Sequence, residues 1–158
     1  MPNRGGDPLK SVLIYDALFD DEAFGDLPIQ LARSVGARSA TIFWLHQDGA
    51  AEIMAHSQYF TDEQFGDYAA NYAAADLWAS AAIPSDRSDR VWNLDDLVPD
   101  RIYRNSRFYN DWIRGMGDDT FHCMGTSMNN RYGAGIIGVH RGKGAEQFDG
   151  GIQPDALR

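Results

Sequence analysis

Thr120-Phe-His-Cys-Met-Gly-Thr-Ser-Met128, then Asn129-Asn-Arg-Tyr-Gly133, then Ala134-Gly-Ile-Ile-Gly-Val-His-Arg141 is the stretch that decides the fold. Two runs with apolar and β-branched residues flank a piece rich in Asn and Gly, the pattern of two strands joined by a tight turn. The glycines inside the runs mark places where a strand bends or a neighbour packs closely. Upstream, Ser39-Ala-Thr-Ile-Phe-Trp-Leu45 and Ala51-Glu-Ile-Met-Ala-His-Ser57 flank Gln47-Asp48-Gly49. An Asp-Gly step between two such runs predicts a second hairpin.

Helices fill the intervals. Asp7-Pro8 pairs an N-cap residue with the ring that suits a first helical position, and Leu9, Val12, Leu13, Tyr15 and Leu18 roughly follow a helical period. Asp20-Asp21-Glu22 starts a second helix whose apolar positions Phe24, Leu27, Leu31 and Val35 share one face, with Gly36 placed as its stop. Pro28 is read as falling in the tolerant first turns. Thr61 and Gln64 form a capping-box pattern that launches a helix through about Tyr72. From Ala73 to Pro99 the pattern is mixed, with a short apolar piece at Leu77-Trp78 and a strand candidate at Arg90–Asn93. Ser106 caps a helix holding Phe108, Tyr109, Trp112 and Ile113, ended by Gly115 and Gly117. Paired hairpins with helices before and between them imply an α+β domain, a mainly antiparallel sheet with helices on its faces.

The chain of 158 residues, 44% apolar, suits one domain, structured from about residue 8 to residue 149. Lys+Arg 14 against Asp+Glu 23 gives a net charge of −9, which would repel a nucleic-acid polyanion. No apolar run reaches the roughly 18 residues of a membrane span, and the opening Met-Pro-Asn-Arg is no signal peptide. A cytoplasmic protein without a membrane partner is expected. The single cysteine, Cys123, excludes an internal disulfide framework and CxxC-type zinc sites.

Enzyme signatures are missing: there is no GxSxG elbow, P-loop, HExxH or dinucleotide GxGxxG. His46, His56, His122 and His140 are scattered over several strands rather than set at ligand spacing. His122 and Cys123 are adjacent, but strand neighbours point to opposite faces, so this imidazole is badly placed to activate that thiol. Cys123 reads as a small buried strand residue. No catalysis, cofactor or metal is expected.

The distinctive feature is an aromatic set between the hairpins: Tyr59, Phe60, Phe65, Tyr68, Tyr72, Trp78, Trp92, Tyr103, Phe108, Tyr109 and Trp112. Aromatics at helical spacing often simply pack, yet Tyr and Trp have polar tips that need partners and often line small-molecule pockets. Asp76 sits among them, and a carboxylate in apolar company is costly unless it is paired or accepts hydrogen bonds. The candidate ligand-binding residues are Tyr59, Tyr68, Tyr72, Asp76, Trp78, Trp92, Tyr109, Trp112 and His122.

These residues resemble a known family. Tyr72-Ala-Ala-Ala-Asp76-Leu-Trp78 is similar to the Tyr-x-x-x-Asp-Pro-Trp motif of the sensory domains of LuxR-type bacterial transcription regulators, with Leu77 in place of the Pro. Ser106-Arg-Phe-Tyr-Asn-Asp-Trp-Ile-Arg114 followed by Gly117 resembles a later helix of that family. Val139-His140-Arg141 and Gln147-Phe148-Asp149 resemble the strand end and the Phe before its next helix. The resemblance implies a GAF/PAS-like fold and a domain that senses a small molecule. It also implies DNA contact only through a C-terminal helix-turn-helix domain that is not in this chain. Homodimerisation is expected through the N-terminal helix, whose apolar residues exceed one face. In the acyl-homoserine-lactone branch an Asp contacts the ligand amide, matched by Asp76, and a Trp contacts the lactone carbonyl, near Trp92. A Tyr that lines the pocket is matched by Tyr72 or Tyr68. The other reading is a dimerisation or protein-interaction module of the same fold whose centre is filled by its own side chains.

Overall fold

In the computed structural model, which describes residues 11–84 and 86–149, five strands form one antiparallel sheet and helices cover both of its faces. Helices α1 (Ser11–Ala17) and α2 (Asp21–Val35) come first. The expected start at Asp7-Pro8 lies outside the described residues. Asp20 caps α2 by accepting the Ala23 N–H at 3.0 Å, and Gly36 closes it with φ +64°, the left-handed conformation that glycine adopts without penalty. Pro28 lies in the middle of α2, not in its first turns, and is fully buried. Lacking an N–H, it cannot bond the Phe24 carbonyl one turn back, and packing of the α2 inner face makes up for that loss.

Strands β1 (Ser39–His46) and β2 (Ala51–His56) make the first hairpin, with a bulge between Ile42 and Phe43. Strands β4 (Thr120–Asn130) and β5 (Gly133–Gly142) make the second, and β3 (Trp92–Asn93) pairs with β4. The sheet order is β2-β1-β5-β4-β3. Both hairpins stand where the sequence places them. The Arg90–Asn93 candidate shrinks to two residues because the Asn93 side chain accepts the Asp95 N–H, turning the chain out of the strand. In the β4–β5 ladder Asn130 pairs with Gly133, so a two-residue turn, Arg131-Tyr132, sets the register. That register brings Cys123 opposite His140 and Gly125 opposite Gly138. Gly133 is required, since a Cβ there would run into the Leu45 carbonyl of β1.

The helical layer between the hairpins departs from plain α-helices. The capping box of Thr61 and Gln64 is formed and starts α3 (Asp62–Asp67), but the next five residues, Tyr68–Tyr72, widen into a π turn in which the Ala73 N–H reaches the Tyr68 carbonyl. Then come α4 (Leu77–Ala82) and α5 (Asp100–Arg104), the latter unmarked by any periodic pattern in the sequence. Ser106 links α5 to a second π turn, Phe108–Ile113, accepting the Tyr109 N–H at 3.1 Å and donating to the Tyr103 carbonyl at 2.6 Å. Gly117 ends that segment in the left-handed conformation.

Strand alternation sorts the core in two. One sheet face turns Phe43, Ile136 and Cys123 toward the aromatic layer, and the other packs Ala40, Met124 and Val139 against Ala32 and Phe148. The Arg141 guanidinium lies 4.1 Å above the Phe148 ring and donates to the Val35 carbonyl, tying the end of β5 to the end of α2. Among the described residues no helix is long and apolar enough to cross a membrane.

Candidate functional site

Between the sheet and the aromatic layer lies a cavity of about 50 Å³. The sheet supplies Thr41, Phe43, Cys123, Ile136, Gly138 and His140, and the layer supplies Phe60, Phe65, Tyr68, Asp76, Trp78, Phe108, Trp112 and Ile113. Both π turns border it, one through Tyr68 and the other through Phe108, Trp112 and Ile113. A π turn is rare, and its sites in proteins are frequently functional ones. The rings interlock: Tyr68 and Trp112 have centroids 5.1 Å apart, Phe108 and Trp112 5.3 Å, and Trp78 meets the edge of Phe108 at 5.7 Å.

Asp76 supplies the carboxyl group. It is the N-cap of α4, and its Oδ1 accepts the N–H groups of Trp78 at 3.0 Å and Ala79 at 3.1 Å. Its Oδ2 accepts the Tyr68 hydroxyl at 2.7 Å. The residue is 6% exposed. Burial raises its pKa above the usual carboxylate range, against the opposing pull of the three hydrogen bonds. Burial and the nearby carboxylate together raise the Tyr68 phenol well above its ordinary value. The same acid–phenol pair thus holds the end of α4 and faces the cavity.

On the sheet side, Cys123 is buried and burial raises its thiol well above its ordinary pKa. It remains protonated and weakly nucleophilic. His122 turns away from it, with Nδ1 2.7 Å from Asp95 Oδ2. The imidazole on the face of Cys123 is that of His140, its cross-strand partner. His140 Nδ1 lies 3.0 Å from Ser39 Oγ, and its ring packs against Trp78 at 5.5 Å. Burial lowers its pKa from 6.5 to about 4, so the ring is neutral at physiological pH.

Of the nine candidate residues, the structure brings Tyr68, Asp76, Trp78 and Trp112 together around this cavity. The other five do not line it. Tyr59 is 43% exposed and donates to Asp118 at 2.7 Å. Tyr72 is half-buried beneath the Arg107 guanidinium, 4.8 Å from its ring. Trp92 sits on the edge strand β3 and donates its indole N–H to the Arg87 carbonyl at 2.9 Å. Tyr109 is buried against Tyr103 and Phe121. His122 and Asp95 border a separate cleft of about 60 Å³. Of Tyr72 and Tyr68, only Tyr68 lines the cavity: the π turn carries it inward and leaves Tyr72 toward Arg107.

Sequence reasoning missed His140, Gly138 and Thr41 on the sheet wall. The signal was present in the β4–β5 hairpin, where a two-residue turn at Arg131-Tyr132 fixes His140 opposite Cys123. On the opposite face of the sheet a cleft of about 170 Å³ is lined by Leu27, Leu31, Ile42, Met124 and Val139 among others. It offers no charged side chain to orient a ligand. Among the described residues no group of three or more His, Cys, Asp and Glu side chains is arranged to hold a metal ion.

No known family model matches the chain, and no curated protein matches it either.

Proposed function

We propose that this chain is a non-enzymatic sensory domain that binds a small molecule between its sheet and its aromatic layer and passes the bound state on to a partner domain. The observation that carries this reading is the buried Asp76–Tyr68 pair, which faces a cavity ringed by aromatics from two π turns. A largely apolar pocket with a few convergent polar groups is the usual form of a ligand site. The resemblance to LuxR-type sensory domains supports it through Asp76, Trp78 and the Ser106–Arg114 segment. In this reading the domain acts in the cytoplasm as a homodimer in transcription regulation, and DNA is contacted only by a helix-turn-helix domain outside this chain. A ligand biases such a device only as far as it prefers one state over another.

A concentration-dependent thermal-shift screen tests the reading. A true ligand raises the melting temperature progressively, since stabilisation grows as RT ln(1 + [L]/Kd). A protein whose melting temperature no pocket-sized compound raises does not sense through this cavity.

The second reading, a dimerisation or interaction module with a filled centre, is favoured by two observations. The cavity is small, about a third of the ~150 Å³ that holds benzene in an engineered apolar site. Helix α1 and the turn after it expose Val12, Ile14, Tyr15, Leu18 and Phe19, the last at 89%. Static light scattering of the wild type and of Phe19→Ser separates association through this surface from none.

A further inference from the structure

The sheet wall of the cavity has a gap in front of one histidine. Gly138 lies on β5 two residues before His140, on the same face, opposite Gly125 on one side and Thr41 on the other. A Cβ at Gly138 would stand 3.2 Å from His140 Nε2 and 3.7 Å from Cys123 Sγ. Gly138 does not have the positive φ that favours glycine, so what it contributes is open space beside Nε2. The ring is already fixed by Ser39 at Nδ1 and by Trp78 on its face, while Nε2 makes no hydrogen bond among the described residues. Asp76 lines the same cavity from the helical layer, and no Lys or Arg lines it.

Resting on the ligand-binding reading above, we propose that His140 is the second polar contact of the cavity, kept accessible by Gly138, and that the occupant is a small molecule without negative charge that bears an amide or hydroxyl group. The charge limit follows from the lining. An anion would enter a chamber that no cation lines and would share it with the Asp76 carboxyl group. The neutral imidazole adds no compensating charge. An amide or hydroxyl can both donate and accept, and so fits Nε2 in either tautomer. The protonated Cys123 thiol leaves the binding non-covalent. At about 50 Å³ the cavity admits a molecule of only a few heavy atoms without displacing side chains.

The test is an NMR titration of the full chain with acetamide, and with acetate as its charged counterpart, following the His140 ring nitrogens and the Trp112 indole N–H. Acetamide is expected to move both signals saturably, and acetate neither. Gly138→Ala is expected to abolish the His140 response. His140→Phe is expected to weaken acetamide roughly three- to tenfold, the net worth of one hydrogen bond. If acetamide moves Trp112 saturably while His140 stays still and Gly138→Ala changes nothing, the inference falls and the cavity reading stands. Acetate binding as well as acetamide overturns the charge limit. No saturable shift at either group overturns the inference outright, and the thermal-shift screen then decides the reading beneath it. The wild-type titration decides between these outcomes even where a variant fails to fold.

Discussion

His140 gives the protein a measurable dependence on pH. In the unfolded chain its imidazole titrates near 6.5, whereas burial beneath Trp78 holds it to about 4 in the fold. Between those values the unfolded chain binds a proton that the folded chain refuses, so stability falls as pH drops through the window. At about 1.4 kcal/mol per pH unit the loss reaches about 3 kcal/mol by pH 4. Asp76 runs the other way: its raised pKa means the fold holds that proton more tightly, and its contribution falls as pH rises out of the carboxylate range. The lowered pKa of Asp118 and the raised pKa of Asp95 add to these two, so the wild-type curve mixes opposed slopes. Subtracting the urea-unfolding curve of His140→Gln, measured by circular dichroism from neutral pH to about 4, isolates the histidine. The expected difference in stability between the two proteins shrinks by about 3 kcal/mol over that range. Parallel curves, or a His140 NMR titration centred near 6.5, would refute the claim that this ring is desolvated and neutral in the fold.

The other expectations concern the acid–phenol pair and the exposed helix. Asp76→Ala removes the α4 cap and strands the Tyr68 hydroxyl, and should cost about 2–4 kcal/mol in urea unfolding; Asp76→Asn keeps an acceptor for the cap and should cost about 1 kcal/mol. Tyr68→Phe, which leaves a buried carboxylate oxygen short of a donor, should cost about 1–3 kcal/mol. Tyr59→Phe, at an exposed bond to Asp118, should cost less than about 1 kcal/mol in the same assay. Ile136→Ala, on the sheet wall of the same cavity beneath the aromatic layer, should cost about 2–5 kcal/mol through lost packing. If the exposed α1 face is a dimer seam, the wild type scatters light as a dimer and Phe19→Ser as a folded monomer; a monomeric wild type removes that seam.

The sheet was legible because its signals are local. Asp48-Gly49 and Asn129–Gly133 are turn chemistry, and the flanking runs carry strand residues, so both hairpins could be read without knowing the fold. The helix caps at Asp20, Thr61 and Gly36 were equally local. The π turns were not legible, because widening a helix by one residue reflects how Tyr68 and Trp112 pack across the cavity rather than any propensity of their own. Helix α5 escaped for the same reason: Tyr103 is fixed by stacking on Trp78 at 4.5 Å and by donating to the Thr120 carbonyl, both distant in sequence. Asp76 stood out as a carboxylate among aromatics, and the structure brings Tyr68, Trp78 and Trp112 to it. Trp92, Tyr109 and His122 share the aromatic stretch or its border, but Arg87, Tyr103 and Asp95 hold them in other packing.

Occupancy of the small aromatic chamber beside the sheet is the point on which the functional reading turns. A crystal structure of the protein purified from its native host would address it directly. The expected result is density for a compact, non-water molecule within hydrogen-bonding distance of Asp76 or Tyr68 and against the Trp112 ring. Side chains closing the chamber completely, or nothing but water inside it in protein that has met every metabolite of its cell, would contradict it.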